Sequence, residues 1–234
     1  MENLYLFLIS VLPTLGLLFF FVYSDRFIEP KKTVLQTLLL GMFIIAPLQI
    51  VNTFIDIVLG TQFEFGPFLT AFFQASFLEE FFKFCVLFYF CSTFTHFNEP
   101  MDGLVYGITA SLGFALYENI EYVYFAEDFD RSLYIAYMRA FTAVPSHAFD
   151  GIIMGFFLGR YFFDKEKNKS NLYLSLTIPV LLHGFYDWVL MEDKFNDNFM
   201  YLVMAIELIL VVYLYRKLKN EQNKKQFEAQ KKFR

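Results

Sequence analysis

The hydrophobic positions of the chain form seven long runs, which are separated by short polar connections. The runs cover residues 4–23, 34–59, 67–92, 103–125, 132–159, 172–190 and 198–216. A helix needs about 20 apolar residues to cross a hydrocarbon core of about 30 Å. The pattern therefore predicts an all-α, polytopic membrane protein with about seven transmembrane helices.

Composition supports a membrane protein and excludes several other classes. Hydrophobic residues make up 57% of the 234 residues, aromatic residues 21% and charged residues only 18%. This is more apolar than a soluble domain of this length, so lipids are expected partners. The net charge of -5 and the absence of a basic stripe argue against a nucleic-acid partner.

The distribution of lysine and arginine predicts the orientation, because cytoplasmic loops are enriched in these residues. Fifteen of the 19 basic residues lie in segments 24–33, 93–102, 160–171 and 216–234, and only Arg131 and Lys194 lie in the opposite set of connections. The N-terminus is therefore predicted outside and the C-terminus in the cytoplasm.

The sequence predicts a single membrane domain followed by a short tail. Residues 1–216 would form a seven-helix transmembrane domain. Residues 217–234 would form a basic cytoplasmic tail, with seven basic residues against Glu221 and Glu228. The connections are too short to hold a second domain. Together with the seven apolar runs, this predicts a multi-pass protein of the cell membrane.

Ionisable residues are clustered within the predicted spans, where each costs about 2.5 to 3.5 kcal/mol on an insertion scale. In the third span, Glu79 and Glu80 precede Lys83 by four and three residues. One ammonium group can reach either carboxylate across a helical turn, so one acid is left over and suits a general base. The alternative is a structural salt bridge between helices.

The sixth and fifth spans each carry a histidine followed by a carboxylate. His183 and Asp187 are four residues apart, so the carboxylate can fix the ring orientation. Pro179, one turn earlier, is expected to bend the helix and to make room for water. His147 and Asp150 repeat this arrangement at a spacing of three residues.

The fourth span adds Glu118 to the candidate site. The helical rise allows this residue to share a layer with Glu79, His147 and His183, in the middle or outer half of the membrane. In the fifth span, small residues at 151, 155 and 159 favour a packing seam between helices.

Acids and histidines of these types can activate a water molecule and stabilise the negative charge that develops when it attacks. Glu79 is the candidate base, with His183 or His147 stabilising the oxyanion and Glu118 positioning water. A zinc ion held by Glu118, His147, His183 and Glu79 is an alternative with acceptable N and O ligands, but no His-Glu-x-x-His pair is present. We favour a metal-independent, glutamate-based hydrolase.

Four motifs on successive spans resemble those of the PrsW family of membrane proteases. They are Glu79-Glu80-Phe81-Phe82-Lys83, Phe114-x-x-x-Glu118, His147 and His183-x-x-x-Asp187. The resemblance extends from about the third span through the sixth. It also connects the chain to a wider group that contains the CAAX prenyl proteases and the CPBP membrane proteins.

The resemblance implies an intramembrane endopeptidase of a bacterial cytoplasmic membrane. Its expected substrate is a single-span membrane protein or peptide, in this family a membrane-anchored anti-sigma factor that receives a site-1 type cut on the extracytoplasmic side. Glu79 would polarise water, Glu80 would pair with Lys83, and Asp187 would orient His183. Glu118 stands where the CAAX proteases have a histidine.

Two other classes of protein fit the same buried cluster of Glu and His residues. A proton-coupled transporter also places acids and histidines within the membrane, although no inverted repeat is visible in the sequence. A non-catalytic binding or immunity protein would use the cavity to hold a lipid or a partner helix.

Overall fold

The structure is a computed structural model, and it describes residues 2–59, 65–164 and 166–232. The side chains at 197 and 225–232 lie outside this description, as does the end of the predicted tail at 233–234. All regular elements in the described ranges are helical. The all-α class predicted from the sequence is therefore confirmed.

The helices follow one another with short connections. In chain order they are α1 (Glu2–Ser24), α2 (Lys31–Phe43), α3 (Ile45–Leu59), the composite helical segment α4 (67–93), α5 (Pro100–Tyr124), α6 (Phe129–Phe141), α7 (Ala143–Phe163), α8 (Lys169–Met191) and α9 (Asp197–Lys232).

Segment α4 changes its helical geometry several times. A short turn at Pro67–Leu69 leads into a π-helix at Thr70–Phe77, and a second π-helix covers Val86–Phe90. Between them lies a regular α-helix, Leu78–Cys85, which carries the two adjacent glutamates and the lysine. Single π-helical turns occur often at functional sites, and here two of them flank the candidate acids.

Two of the predicted spans are each divided into two helices. The run 34–59 breaks at Ile44, and the run 132–159 breaks at Thr142. In both cases a proline lies three residues after the break, Pro47 and Pro145 respectively. Proline has no N–H to donate to the carbonyl four residues earlier, but it is tolerated in the first turn of a new helix. Each new helix therefore begins two residues before its proline, at Ile45 and Ala143, so that the proline lies in its first turn.

Helix α5 lies at the centre of the bundle and is buried along almost all of its length. Its glycines face those of α7: a Cβ atom on Gly155 would lie 2.8 Å from the Cα atom of Leu104, and one on Gly151 would lie 2.6 Å from the carbonyl oxygen of Gly107. The predicted seam of small residues in the fifth span is confirmed. It brings the backbones of α5 and α7 close together, and thus also the site residues that they carry.

The outer surface of the bundle is strongly apolar, whereas many polar side chains lie inside. Phe43, Ile57 and Ile209 are each about 70% exposed, while Glu80 and Lys83 are fully buried. Water would not favour such a distribution, but a bilayer does.

Five helical stretches in the described part of the chain are long and apolar enough to cross a membrane, judged by length and composition. They are Glu2–Ser24, Lys31–Leu59, Phe129–Phe163, Lys169–Met191 and Asn198–Lys224. Segment α4 and helix α5 are not among them. The chain is thus a multi-pass helical protein, and the number of seven spans stays a prediction.

The last helix is longer than the sequence pattern indicated. The apolar run ends at 216, but α9 continues without a break to Lys232. Most of the basic segment that we predicted as a tail from residue 217 is therefore an extension of the last helix. Near the start of this basic segment, Leu218 is buried against the bundle.

Candidate active site

The acidic motif of α4 forms a buried ion-pair group. The ammonium nitrogen of Lys83 lies 2.7 Å from Oε1 of Glu80 and 3.7 Å from Oε2 of Glu79. The three side chains share one face of Leu78–Cys85 because they are three and four residues apart. Glu80 takes the close contact, and Glu79 remains at a longer distance from the cation.

Helix α8 brings His183 to the same group. Its Nδ1 lies 2.9 Å from Oε1 of Glu80, and its Nε2 lies 3.3 Å from Oδ2 of Asp187 and 3.8 Å from Oε2 of Glu79. The contact with Asp187 follows from the spacing of four residues on α8. The contact with Glu80 is between helices. Both ring nitrogens therefore face carboxylates, which hold the imidazole in one orientation.

His147 on α7 faces the site from the opposite side. Its Nε2 lies 2.8 Å from Oε2 of Glu118 on α5, and its Nδ1 lies 3.3 Å from the ammonium nitrogen of Lys83. The rings of His147 and His183 are 5.1 Å apart and nearly perpendicular. Since Lys83 can only donate, Nδ1 of His147 accepts from it, and Nε2 then carries the proton that is donated to Glu118.

Arg139 on α6 is a member of the site that sequence reasoning did not assign. It donates to Oε2 of Glu118 at 2.6 Å and, through Nε, to Oδ1 of Asn119 at 2.6 Å. Its guanidinium group also lies 4.3 Å from the ring centre of Tyr122. The available signal was that an arginine inside a span needs a carboxylate partner.

Asp150 does not support His147 in the way that we expected. His147 turns towards Glu118 and Lys83, which offer it hydrogen-bond partners, and Asp150 approaches His183 instead, at 3.9 Å from Nδ1. Both carboxylate oxygens of Asp150 lack a hydrogen-bond partner among the described residues. This buried acid thus lies beside His183 without a close partner of its own in the described structure.

Glu207 on α9 is a second buried acid near the site. Oγ of Ser146 donates to its Oε2 at 3.1 Å. Ser146 is directed at Glu207 and not at His147, so the structure offers no Ser–His pair here.

Four of these side chains could hold a metal ion. One ligand atom each from Glu79, Glu80, His147 and His183 lies within 4.8 Å of all the others, and all four residues are buried. Two imidazoles and two carboxylates are ligands that zinc accepts. Glu118, which we included in the zinc set, is paired with Arg139 instead. Lys83 contacts Glu80 and Nδ1 of His147. Because that nitrogen has a single lone pair, Lys83 would have to release it before His147 could bind a metal.

A cavity of about 350 Å³ opens beside this cluster. Its lining includes Glu79, Glu118, Arg139, His183 and Asp187. A second cavity of about 560 Å³ also reaches Glu79 and Glu118, but the rest of its lining is mainly apolar. The two glutamates therefore line both cavities.

The fold and the site together define a multi-pass membrane protein with a buried, hydrolase-like group of glutamates and histidines. Comparison with known proteins gives the family. Residues 29–214 match the family described as "PrsW family intramembrane metalloprotease". The chain belongs to this family and is an intramembrane protease.

Several curated relatives support the same assignment over nearly the whole chain. Protease PrsW of Oceanobacillus iheyensis is 33% identical over 92% of this chain and 95% of the relative. For Protease PrsW of Bacillus subtilis the identity is 35%, over 92% and 94%, and for that of Geobacillus kaustophilus 36%, over 83% and 84%. No solved structure matches the chain.

Proposed function

We propose that this chain hydrolyses a peptide bond in a single-span membrane protein, with Glu79 as the base that activates water. The carboxylate of Glu79 carries the proposal: it is buried, its Oε2 has no hydrogen-bond partner among the described residues, and it lines both cavities. The other acids of the cluster are either in closer contact with a cation or further from the cavities.

The proposed reaction follows from the positions of these side chains. Glu79 takes a proton from water, and the water oxygen attacks the peptide carbonyl carbon. His183, held by Glu80 and Asp187, stabilises the oxyanion that forms. The C–N bond then breaks, and Glu79 returns the proton to the leaving amine. Lys83 neutralises Glu80. The adjacent carboxylate of Glu79 is therefore not repelled by a second uncompensated negative charge.

The second cavity, of about 560 Å³, suggests how a substrate reaches the site. It is lined by Ile45 and Leu48 of α3, Phe114 of α5 and Ile135 of α6. An apolar peptide segment would bury its side chains there while one carbonyl group approaches Glu79. A membrane-anchored anti-sigma factor that is cut on the extracytoplasmic side is the substrate proposed from the family resemblance.

This proposal includes an orientation and a location. The distribution of basic residues places the N-terminus outside and the C-terminus in the cytoplasm, in a bacterial cytoplasmic membrane. We also propose kinship with the CAAX prenyl proteases and CPBP proteins, on the shared Glu-Glu and His-x-x-x-Asp motifs.

Cleavage of defined peptides tests the proposed function. The full-length protein is reconstituted in vesicles with tagged single-span peptides of different sequence, and the fragments are identified by mass spectrometry. We expect cleavage within or next to the apolar segment of at least one peptide. The same fragments from Glu79→Ala vesicles, or no fragments from any peptide, would contradict the proposal.

We propose further that the cluster uses a metal ion, since the family is described as metalloproteases and its donors fit zinc. His147 and His183, together with the carboxylate of Glu80, would hold the ion and leave Glu79 as the base. In this form of the site, His183 would serve as a ligand and not as the group that stabilises the oxyanion. When bound, it would polarise a water molecule or a carbonyl group as a Lewis acid. This replaces our initial preference for a metal-independent enzyme.

Removal of metal is expected to stop cleavage. After treatment with a strong chelator, the protein should lose at least about 99% of its activity, because the metal would be a main catalytic component. Addition of Zn²⁺ should restore the activity. Elemental analysis provides a readout that does not depend on activity: about one zinc per chain is expected, and less in His147→Ala. Full activity in metal-free protein would establish the glutamate-only mechanism.

A further inference from the structure

A second group of buried carboxylates lies at the other end of α5. Asp25 and Glu29 belong to the connection between α1 and α2, and Asp102 lies in the first turn of α5. One oxygen from each of the three lies within 4.8 Å of the other two. They are only 4%, 5% and 1% exposed. From Asp102 to Glu118, α5 rises by about 24 Å, so this group is separate from the active site.

The hydrogen bonds of this group come from neutral donors. The hydroxyl of Tyr106 donates to Glu29. The backbone N–H groups of residues 98 and 99 donate to Oδ2 of Asp102 at 2.6 and 2.7 Å. The backbone N–H group of Phe27 donates to Oδ1 of Asp25 at 3.3 Å. These bonds orient the carboxylates but do not neutralise their charge.

Two cationic side chains near this group are engaged elsewhere. Lys219 donates to the carbonyl oxygen of Ser24, and Arg26 donates to the amide oxygen of Asn223 at 3.1 Å. In the described ranges, no ion pair involves any of the three carboxylates. Burial of several carboxylates without a counter-charge is costly, and it raises the pKa of Asp102 to about 8. The group therefore needs either a bound proton or a cation to offset its charge.

Two buried oxygen atoms at this place have no hydrogen-bond partner within the described structure. They are Oδ2 of Asp25 and the amide oxygen of Gln222 on α9. Gln222 is only 3% exposed, and its nitrogen donates to Oδ1 of Asp25 at 2.8 Å and also to Glu99. These two hydrogen bonds hold the amide of Gln222 against Asp25. Its oxygen therefore lies beside the carboxylates and has no partner among the described residues.

We propose that Asp25, Glu29 and Asp102, with the amide oxygen of Gln222, bind a divalent cation of the hard, oxygen-preferring class, Mg²⁺ or Ca²⁺. Carboxylate and amide oxygens are the ligands that these ions take, and neither sulfur nor imidazole is part of the set. The ion offsets the buried charge and joins three parts of the chain: the α1–α2 connection, the start of α5 and helix α9.

Thermal unfolding in detergent tests this site. Chelator-treated full-length protein is titrated separately with Mg²⁺ and Ca²⁺, and the unfolding midpoint is measured. We expect the preferred ion at saturation to raise the midpoint by on the order of 5 °C, because it binds only the folded state. Asp25→Asn and Glu29→Gln should lose most of this rise. Glu166→Gln, which removes an exposed carboxylate from a nearby connection, should keep it.

Calorimetry of the wild-type chain gives a readout that does not require a folded variant. One binding event per chain with either ion is expected, and the same event should be present in Glu79→Gln, whose change lies in the active site. A midpoint unaffected by both ions, or a rise that Asp25→Asn and Glu29→Gln both retain, would overturn the proposal.

Discussion

Glu79→Gln is expected to lower the cleavage rate by about 10²- to 10⁴-fold, the usual contribution of a general base. Glutamine has nearly the shape of glutamate but does not accept a proton from water. Since Glu79 lies 3.7 Å from Lys83 and 3.8 Å from His183, its loss breaks no close ion pair. The unfolding midpoint should therefore change little.

Glu80→Gln provides the contrast that assigns the roles of the two adjacent acids. Glu80 is fully buried and contacts Lys83 at 2.7 Å and His183 at 2.9 Å. Removal of its charge leaves a buried ammonium without its nearest partner, which costs about 3–5 kcal/mol. Both activity and the midpoint should fall, whereas Glu127→Gln, an exposed control, should alter neither. An active Glu79→Gln protein, beside an inactive Glu80→Gln protein with a normal midpoint, would exchange the two roles.

Contacts within one helix could be predicted from the sequence. Lys83 meets Glu80 and Asp187 meets His183 because residues three or four apart share a helix face. The convergence of Glu79, Glu118, His147 and His183 depends instead on how α4, α5, α7 and α8 pack. The sequence allowed a common layer for them. The packing of glycines between α5 and α7 brings Glu118 and His147 together, and the packing of α8 on α4 places His183 against the acids.

The partners of Arg139 and His147 could not be assigned from the sequence for the same reason. The break at Thr142 makes α6 a separate helix, and this places Arg139 against Glu118, 21 residues earlier. With Glu118 available, His147 faces α5 and not Asp150. Spacing along one uninterrupted span cannot reveal such a change of direction, although Pro145 marks where it occurs.

Arg139→Met is expected to have the second large effect, because it removes the cation that Glu118 contacts at 2.6 Å. Both side chains are about 14% exposed, so water compensates only partly, and we expect a loss of about 3 kcal/mol in the free energy of unfolding. Cleavage should also decrease. Without Arg139, the carboxylate of Glu118 would no longer be fixed in place, and it would no longer hold His147 in its present position. Unfolding in detergent and cleavage by reconstituted protein measure the two effects.

A double variant separates the loss of stability from the loss of cleavage. Arg139→Met combined with Glu118→Gln removes both charges, so the midpoint should recover most of what Arg139→Met alone loses, while cleavage stays low because Glu118 no longer fixes His147 as a carboxylate. Arg131→Met, which changes an exposed arginine on the same helix, should shift stability by less than about 0.5 kcal/mol. Equal midpoints for Arg139→Met and wild type would show that Arg139 does not neutralise Glu118, and recovery of cleavage in the double variant would show that the carboxylate is not needed to position His147.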